Sequence, residues 1–598
     1  MSKGERPGTA RLDFHQEIVG PRVLATWAAP LLVALITVVV FLPTLRNQFL
    51  DWDDPINFLN NPSYRGLGWS NLRWMLTTTH MGHWIPLTWV TFGVDYLLWG
   101  MNPFGYHLTN LLLHAAGAVV FYFVALRLLR AGMARQGEVA LRVGAGAAAL
   151  FFAIHPLRVE SVAWITERRD VLSGFWFLLT ILTYLESVAL TGARQRWWQT
   201  CSVGCYAMAV ASKSIVMTLP LVLIVLDVYP LGRLGGRWRQ WVDERARRIW
   251  AEKVPYVLLA LVAGSVSAYA VRSIVEPLGA RTLTSRIGVA FDGLGFYVWK
   301  AVLPFSIAPL YQISPMVDPL SLPIVVSALA VAGLTVVLFL LRRRWPACLA
   351  AWSAYAILLA PVSGIVQSGS QTVAARYSYL PSLALALLVG AGACRLAREA
   401  REGPGRAWAR VGVAALLIGV AGLGALTWKQ AHVWHDPETF WSYAVALQPT
   451  ASIPHNNLGA VLMRQGRFDE AQRHIETAVR LSPDYLDARR NLATILEALG
   501  RVDDASQARA RLGGLLLKQG NTDEAIALFQ ELVTARPGDP KAYNNLGAAL
   551  FFKGDLDAAI EHFRRALQVD PSFAEARRNL DKALAMRAVG HRERAGRL

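Results

Sequence analysis

Long apolar runs separated by short charged stretches constrain the fold of this 598-residue chain more than any other feature. About eleven runs are long enough, or nearly so, to cross ~30 Å of hydrocarbon as helices. They lie at residues 24–44, 108–126, 143–157, 171–190, 197–211, 214–230, 254–271, 322–341, 345–363, 377–394 and 411–428. With 54% hydrophobic and 17% charged residues, the composition agrees. We therefore predict an all-α polytopic membrane bundle, and we expect the amphipathic stretch 287–304 to form an interfacial or re-entrant helix.

Basic residues are concentrated in every second loop between these runs. With the N-terminus placed inside, the cytoplasmic loops would be 127–142, 191–196, 231–253, 342–344 and 395–410. They carry about 21 Arg and Lys in roughly 65 residues, whereas the outer loops carry about 12 in roughly 144. This asymmetry predicts a cytoplasmic N-terminus (residues 1–23), with a retained first run, and an exterior C-terminus. It also accounts for the net charge of +18 without nucleic acid as a partner.

A repeat is visible in the C-terminal part of the chain, from about residue 431. Its leucine anchors are separated by 34, 20, 34 and 34 residues, and they are Leu458, Leu492, Leu512, Leu546 and Leu580. Thirty-four residues is the period of the tetratricopeptide repeat, a pair of helices that stacks into a solenoid. The short step predicts that about 14 residues are missing from the second repeat and that its helices are fused. We therefore predict a membrane domain over 24–430 and a tetratricopeptide solenoid over 431–598.

An acidic loop, LDWDDPINFLNNP (50–62), follows the first apolar run. Its three aspartates could form a solvated acidic turn. At the mouth of a membrane bundle, however, a carboxylate can also deprotonate an acceptor hydroxyl or hold a divalent cation. We predict a catalytic role for Asp53 and Asp54, with Asp51 as an outlier.

Other polar side chains lie in or beside the apolar runs. His107, Asn110 and His114 form one stripe of a helix, which predicts hydrogen bonds between helices, with a water-filled cavity and metal ligation by His107 as alternatives. In the outer loop HPLRVESVAWITERRD (155–170), acids alternate with arginines. These charges pair with each other, or they bind an anionic ligand such as phosphate. Lys213 has the same two interpretations, and Arg376 either anchors the interface or binds a lipid phosphate.

Several of these motifs resemble one known family. LDWDDP, WIPLTW (84–89), HLTNLLLH (107–114), HPLRVESVAWITERRD, and the run that ends in ARYSYLPS look like the bacterial relatives of the transmembrane and tetratricopeptide repeat-containing O-mannosyltransferases. The resemblance implies the type C glycosyltransferase fold, with the active site on the extracytoplasmic face of a bacterial inner membrane. It also implies a polyprenyl-phosphate-linked sugar as the donor, with mannose as the candidate sugar, and Ser or Thr of proteins as the acceptor.

The resemblance and the polar side chains described above together assign roles to individual residues. The paired catalytic acids fall on Asp53 and Asp54. The donor phosphate would be bound by Arg376, Lys213, Arg168 and Tyr377. The supporting polar shell would comprise His107, Asn110, His114, His155, Glu160, Glu167 and Asp170. No metal ligand is assigned and no cofactor is required in principle, although assistance by a divalent cation is left open.

This sequence departs from the family at three positions. The acid that usually precedes the arginine of the Arg-Tyr pair is Ala375 here, so an orienting partner for Arg376 is missing or comes from elsewhere in the chain. Ile85 replaces a polar residue, and Arg169 replaces a lysine.

The sequence predicts a mechanism and leaves alternatives. Asp53 or Asp54 would deprotonate a hydroxyl that displaces the lipid phosphate and inverts the anomeric centre, while the repeats bind an acceptor peptide or a partner protein.

The chief alternative is a membrane-anchored scaffold for envelope proteins, which would need only one span. A glycosyltransferase that acts on a glycolipid remains open, whereas a coupled transporter would show more broken helices and ionisable residues in its spans.

Overall fold

The computed structural model describes residues 23–235, 238–272, 282–313, 317–365 and 371–595. These residues form helices and loops, with one isolated antiparallel bridge between Gln312 and Gln371. The chain divides into two compact units, Met1–Phe440 and Trp441–Leu598, so the division falls slightly after the predicted boundary at 430. The predicted cytoplasmic N-terminus, residues 1–23, lies outside the described residues except for its last position.

The first unit is built of helices α1 to α15. Up to the middle of the bundle they are α1 (Val23–Phe41), α2 (Trp69–Thr77), α3 (Pro86–Trp99), α4 (Pro103–Gly132), α5 (Glu138–Ala153), α6 (Val159–Ala163), α7 (Arg168–Ala189) and α8 (Gly192–Ser212). The remaining ones are α9 (Leu219–Val228), α10 (Glu244–Val271), α11 (Leu283–Val302), α12 (Leu322–Leu340), α13 (Pro346–Leu359), α14 (Ser382–Glu402) and α15 (Arg406–His432).

Among the described residues, six helices are long and apolar enough to cross a membrane. They are Thr26–Arg46, Pro103–Gly132, Ile165–Ala189, Glu244–Val271, Leu322–Leu340 and Arg406–His432. A seventh span results if Glu138–Ala153 and Pro156–Ala163, which meet at 54°, count as one broken helix. The prediction of eleven spans is therefore not confirmed. The other four runs lie on α9 and α13, which are short, and on α8 and α14, where polar or charged residues occupy one end.

The segments that the loop count placed outside meet at one end of this bundle. The acidic loop contacts the 155–170 segment, which in turn contacts Lys213 and the 371–381 loop. A second polar network, in which Tyr184 and Lys253 bind Asp227, lies at the other end. Along α7, Tyr184 is about 21 Å from Asp170 at 1.5 Å per residue. Residues 287–302 of the stretch 287–304 lie on the single helix α11, and Tyr297 bonds to the Ala374 carbonyl in the 371–381 loop.

The second unit consists of consecutive helices that pack in pairs, as the 34-residue period predicts. After α16 (Pro437–Leu447), which contains the division between the units, come α17 (Ser452–Arg464), α18 (Phe468–Leu481), α19 (Leu486–Ala498), α20 (Val502–Lys518), α21 (Thr522–Ala535), α22 (Pro540–Lys553), α23 (Leu556–Val569) and α24 (Ala574–Ala595). The predicted fusion in the shortened repeat is confirmed, because one helix, α20, carries both Ala505 and Leu512. A Cβ atom on Gly513 would lie 2.3 Å from the Phe529 ring, so glycine permits this close helix packing.

Candidate active site

The two aspartates of the acidic loop have different surroundings. Asp54 is 1% exposed, and its carboxylate accepts hydrogen bonds from the Leu50 amide (2.8 Å), Trp164 Nε1 (3.0 Å) and Thr166 Oγ1 (2.7 Å). Burial raises the pKa of Asp54 to about 7, although the three donors act in the opposite direction. With both oxygens occupied and no exposed surface, Asp54 joins the acidic loop to the segment that contains Trp164 and Thr166.

Asp53 is half-buried, and its carboxylate accepts no hydrogen bond from any described residue. It lines a small pocket whose other polar lining residues include Asn57, His80, His83, Thr166 and Arg169. Burial raises the pKa of Asp53, whereas the charges of Arg169 and Arg376 lower it. The geometry thus distinguishes the pair: Asp54 is fully bonded, and Asp53 faces the pocket.

Glu167 is the centre of a cluster of charged side chains beside this pocket. Its carboxylate is bonded by Arg169 at 2.6 and 3.1 Å and by Lys213 at 3.0 Å, and Arg376 Nε lies 3.3 Å away. Lys213 also bonds to Asp170 at 2.6 Å. One buried carboxylate therefore orients three cations. Of the two predicted alternatives for these charges, pairing with each other is present, and the paired cations can also face an anion.

Arg376 has a second carboxylate partner, which resolves the departure at Ala375. Glu160, 216 residues away in sequence, accepts hydrogen bonds from the Arg376 amide (3.0 Å) and from its guanidinium. The Arg376 guanidinium also lies 5.5 Å from the centre of the Trp164 ring. Acids from another segment thus supply the orienting partner that the neighbouring position lacks. Tyr377, next in the chain, lies against Arg376 and accepts a hydrogen bond from Gln371 Nε2.

The cluster is close to electrically neutral. Arg169, Lys213 and Arg376 provide three positive charges, and three negative charges come from Glu160, Glu167 and Asp170. All six side chains are largely buried, but Lys213 keeps 15% of its side chain exposed. An arrangement of this kind holds cations in fixed positions and lets them bind an incoming anion without first reorganising.

Arg168 does not belong to this cluster, contrary to the role that the resemblance assigns to it. Its side chain is completely buried, where it pairs with Asp95 at 2.5 Å and bonds to Asn110 Oδ1 at 2.7 Å and to the Tyr106 carbonyl at 2.8 Å. It cannot reach a ligand in the pocket without breaking these bonds. Arg169, the next residue along α7, lines the pocket instead.

Asn110, His114 and His155 of the polar shell make structural hydrogen bonds, whereas neither ring nitrogen of His107 has a hydrogen-bond partner among the described residues. Asn110 bonds to the carbonyls of residues 162 and 164. His114 Nε2 lies 2.9 Å from the Ala153 carbonyl and must carry a proton, so Nδ1 accepts a hydrogen bond from the Tyr379 hydroxyl at 2.8 Å. His155 bonds to the Ala301 carbonyl at 3.2 Å. His107 is buried beside the backbone of residues 47 and 48.

Among the described residues, no group of three or more His, Cys, Asp or Glu side chains is arranged to hold a metal ion. Asn110 and His114 on α4 make hydrogen bonds between segments, the first of the predicted alternatives, whereas His107 makes none with the described residues.

Five residues around Asp53 and Asp54 were not predicted from the sequence. Trp164 and Thr166 bind Asp54, and Trp52 stacks on Trp164 with ring centres 4.6 Å apart. His80 and His83 line the pocket from the turn that precedes α3. Both histidines lie in HMGHW, a pair three residues apart within the first outer loop, and that pattern could have drawn attention to them.

Comparison with protein families matches the C-terminal part of the chain. Two tetratricopeptide repeat models match residues 462–514 and 510–572. They confirm the assignment of the repeats from their period.

Comparison with solved structures gives a weak overall similarity. ArnT from Cupriavidus metallidurans bound to undecaprenyl phosphate is 17% identical, with 81% of this chain and 80% of that chain covered and a TM-score of 0.33. Because this TM-score is low, the specific type C glycosyltransferase architecture stays a prediction. The all-helical fold and the repeats do not depend on this comparison.

Curated relatives match a large part of the chain. Protein O-mannosyl-transferase Tmtc3 of Drosophila melanogaster is 26% identical over 67% of this chain and 49% of its own length. Tmtc1 of the same species is 25% identical, with coverages of 81% and 64%, and human TMTC1 is 26% identical, with 78% and 56%. The chain spans about half the length of the first of these relatives. The resemblance inferred from the motifs is thus confirmed: this chain is a relative of the transmembrane and tetratricopeptide repeat-containing protein O-mannosyl-transferases.

Proposed function

We propose that the protein is an integral-membrane glycosyltransferase that moves a sugar from a polyprenyl-phosphate-linked donor to a hydroxyl acceptor. One observation carries the proposal: the carboxylate of Asp53, which accepts no hydrogen bond from the described residues, faces a pocket beside three oriented cations. A free base next to a preorganised anion site is what transfer from a glycosyl phosphate requires.

In the proposed reaction, the acceptor oxygen attacks the anomeric carbon as its proton passes to Asp53. The bond between this carbon and the phosphate oxygen breaks, and both of its electrons leave with the phosphate. The donor phosphodiester carries one negative charge and the leaving lipid phosphate carries two, while Asp53 becomes neutral, so charge is balanced. A single displacement of this kind inverts the anomeric centre.

Arg376, Lys213 and Arg169 stabilise the charge that grows on the leaving phosphate. Their positions are fixed by Glu160, Glu167 and Asp170, so they need little reorganisation during the reaction. Asp54 acts as a positioning residue that holds the acidic loop against Trp164 and Thr166. No step requires a metal or an organic cofactor.

The side of the membrane is part of the proposal. The site lies among the segments with few cations, and the basic loops lie at the other ends of the helices, which supports an extracytoplasmic site in a bacterial inner membrane. Because soluble nucleotide sugars are made in the cytoplasm, a lipid-linked donor suits this side.

The names of the relatives suggest mannose as the sugar and protein hydroxyls as acceptors. We propose that the tetratricopeptide repeats bind an acceptor polypeptide or a partner protein, as stacked repeats of this type present extended binding surfaces.

The test is transfer of radiolabelled mannose by the purified full-length protein in detergent. We expect transfer to a Ser- and Thr-containing peptide from mannosyl phosphoryl polyprenol, with inversion, and none from a nucleotide-linked mannose. Transfer from the nucleotide sugar alone would contradict the lipid-linked donor. Retention of anomeric configuration would contradict the single displacement.

A further inference from the structure

The turn that carries His83 has an unusual backbone conformation. Residues His80–Gly82 form one turn of 3₁₀-helix, in which Met81 has φ = 50° and Gly82 has φ = 75°. A non-glycine residue in the left-handed region is disfavoured, and such conformations are retained when the surrounding structure holds them in place. The His83 amide bonds to the His80 carbonyl at 3.1 Å, and Pro86 begins α3 shortly afterwards. The position of the His83 backbone is therefore well determined.

Within the part of the chain that the structure describes, the imidazole of His83 makes no hydrogen bond that would explain its position. It is half-buried, lines the pocket of Asp53, and forms no hydrogen bond with any described residue. Burial and the nearby charges of Arg169, Lys213 and Arg376 hold its pKa well below the usual value, although Glu167 acts in the opposite direction. At neutral pH the ring is thus uncharged, with one nitrogen that donates and one that accepts.

The surroundings of His83 define which part of a substrate it would meet. On one side is Asp53, the proposed base, and close by are the three cations proposed to bind the phosphate. In a displacement at the anomeric carbon, the attacking oxygen and the leaving phosphate lie on opposite sides of the sugar. In the proposed reaction the sugar ring therefore lies between the base and the cations, and His83, which lines the same pocket as Asp53 and Arg169, is placed to meet it.

We propose that His83 hydrogen-bonds to a hydroxyl group of the transferred sugar and thereby helps to determine which sugar is accepted. This inference rests on the proposed glycosyl transfer. An uncharged imidazole matches a hydroxyl group, because both can donate and accept. A site that bonds a substrate hydroxyl in this way discriminates strongly against sugars that place it elsewhere, since the buried partner is then left unpaired.

The inference is tested by binding, which does not require turnover. The affinities of the full-length protein for mannosyl phosphoryl polyprenol and for bare polyprenyl phosphate are measured for the wild type, His83→Ala and His83→Gln. For His83→Ala, we expect an affinity about 10-fold lower for the mannosyl lipid and a change of less than about twofold for the bare lipid, in line with loss of one hydrogen bond. His83→Gln should recover part of the loss, because its amide can also donate and accept. The control is His432→Ala, which removes an exposed imidazole that bonds only to the Trp428 carbonyl of its own helix.

The outcomes separate the inference from the proposed function. Suppose that the wild type binds both lipids. If His83→Ala then lowers the affinity for both lipids equally, or leaves both affinities unchanged, His83 does not contact the sugar and the inference is wrong. If the wild type binds neither lipid, the proposed donor class is wrong and the inference falls with it. Discrimination between mannosyl and glucosyl lipids that falls about 10-fold in His83→Ala would support the role in sugar choice.

Discussion

The bond between Glu160 and Arg376 is predicted to be essential both for stability and for catalysis. Substitution of Glu160 by Gln removes the carboxylate that pairs with the buried Arg376 guanidinium and bonds to its amide. Removing one partner of a buried ion pair costs about 3–5 kcal/mol. Glu167, at 3.3 Å from Arg376 Nε, still compensates part of the charge, so we expect a loss of about 2–3 kcal/mol.

The effect on the reaction should be separable from the effect on stability. Glu160→Gln adds one unit of positive charge to the nearly neutral cluster, so affinity for polyprenyl phosphate should be retained or increase. Because Arg376 is no longer fixed, kcat should fall by about 10- to 100-fold. The variant should therefore lower kcat without raising KM for the lipid-linked sugar.

The assay combines thermal unfolding in detergent micelles with steady-state transfer. The matched control is Glu138→Gln, which removes an acid whose pairs with Arg130 and Arg142 are solvent-exposed. Such pairs contribute at most about 1 kcal/mol, so this control should unfold close to the wild type. If Glu160→Gln is as stable as Glu138→Gln and keeps its kcat, the bond does not orient Arg376 and the reasoning is refuted.

Three further predictions test separate parts of the structure. Arg169→Gln removes a charge that lowers the pKa of Asp53, so the acidic limb of kcat/KM should move to higher pH; an unchanged limb would show that Asp53 is not the group that titrates. Gly513→Ala places a Cβ against the Phe529 ring and should destabilise the repeat unit by about 1–3 kcal/mol. Gly514→Ala, with open space around its Cβ, should stabilise the unit by up to about 1 kcal/mol. Urea unfolding measures both changes. Arg168→Met should lower the free energy of unfolding by about 3 kcal/mol and leave the affinity for polyprenyl phosphate unchanged. A large loss of that affinity would show that Arg168 does bind the phosphate.

Much of the fold and of the candidate site follows from local sequence patterns. The period of 34 residues predicts the repeats, and the short step predicts the fused helix, because helix pairing depends on residues that are close in sequence. The acidic loop, the 155–170 segment, Lys213 and Arg376 were all singled out. Span number was less predictable, since helix length and charge at helix ends decide it.

The parts that could not be predicted depend on orientation and on long-range contacts. Arg168 and Arg169 are adjacent, so they point about 100° apart on a helix, and only the turn before α7 decides which one faces the pocket. The contact between Glu160 and Arg376 joins distant segments, and no local pattern indicates it. Likewise, Asp53 and Asp54 are equivalent in sequence until the donors around one of them are known.

The division of roles between these two aspartates is the central claim, and single-turnover transfer from mannosyl phosphoryl polyprenol tests it most directly. We expect Asp53→Asn to lower the rate by at least about 1,000-fold, the upper part of the range for loss of a general base. Asp54→Asn should lower it by about 10- to 100-fold through displacement of the loop, and Asp51→Asn should have little effect. A greater loss for Asp54→Asn than for Asp53→Asn would contradict the assignment of Asp53 as the base.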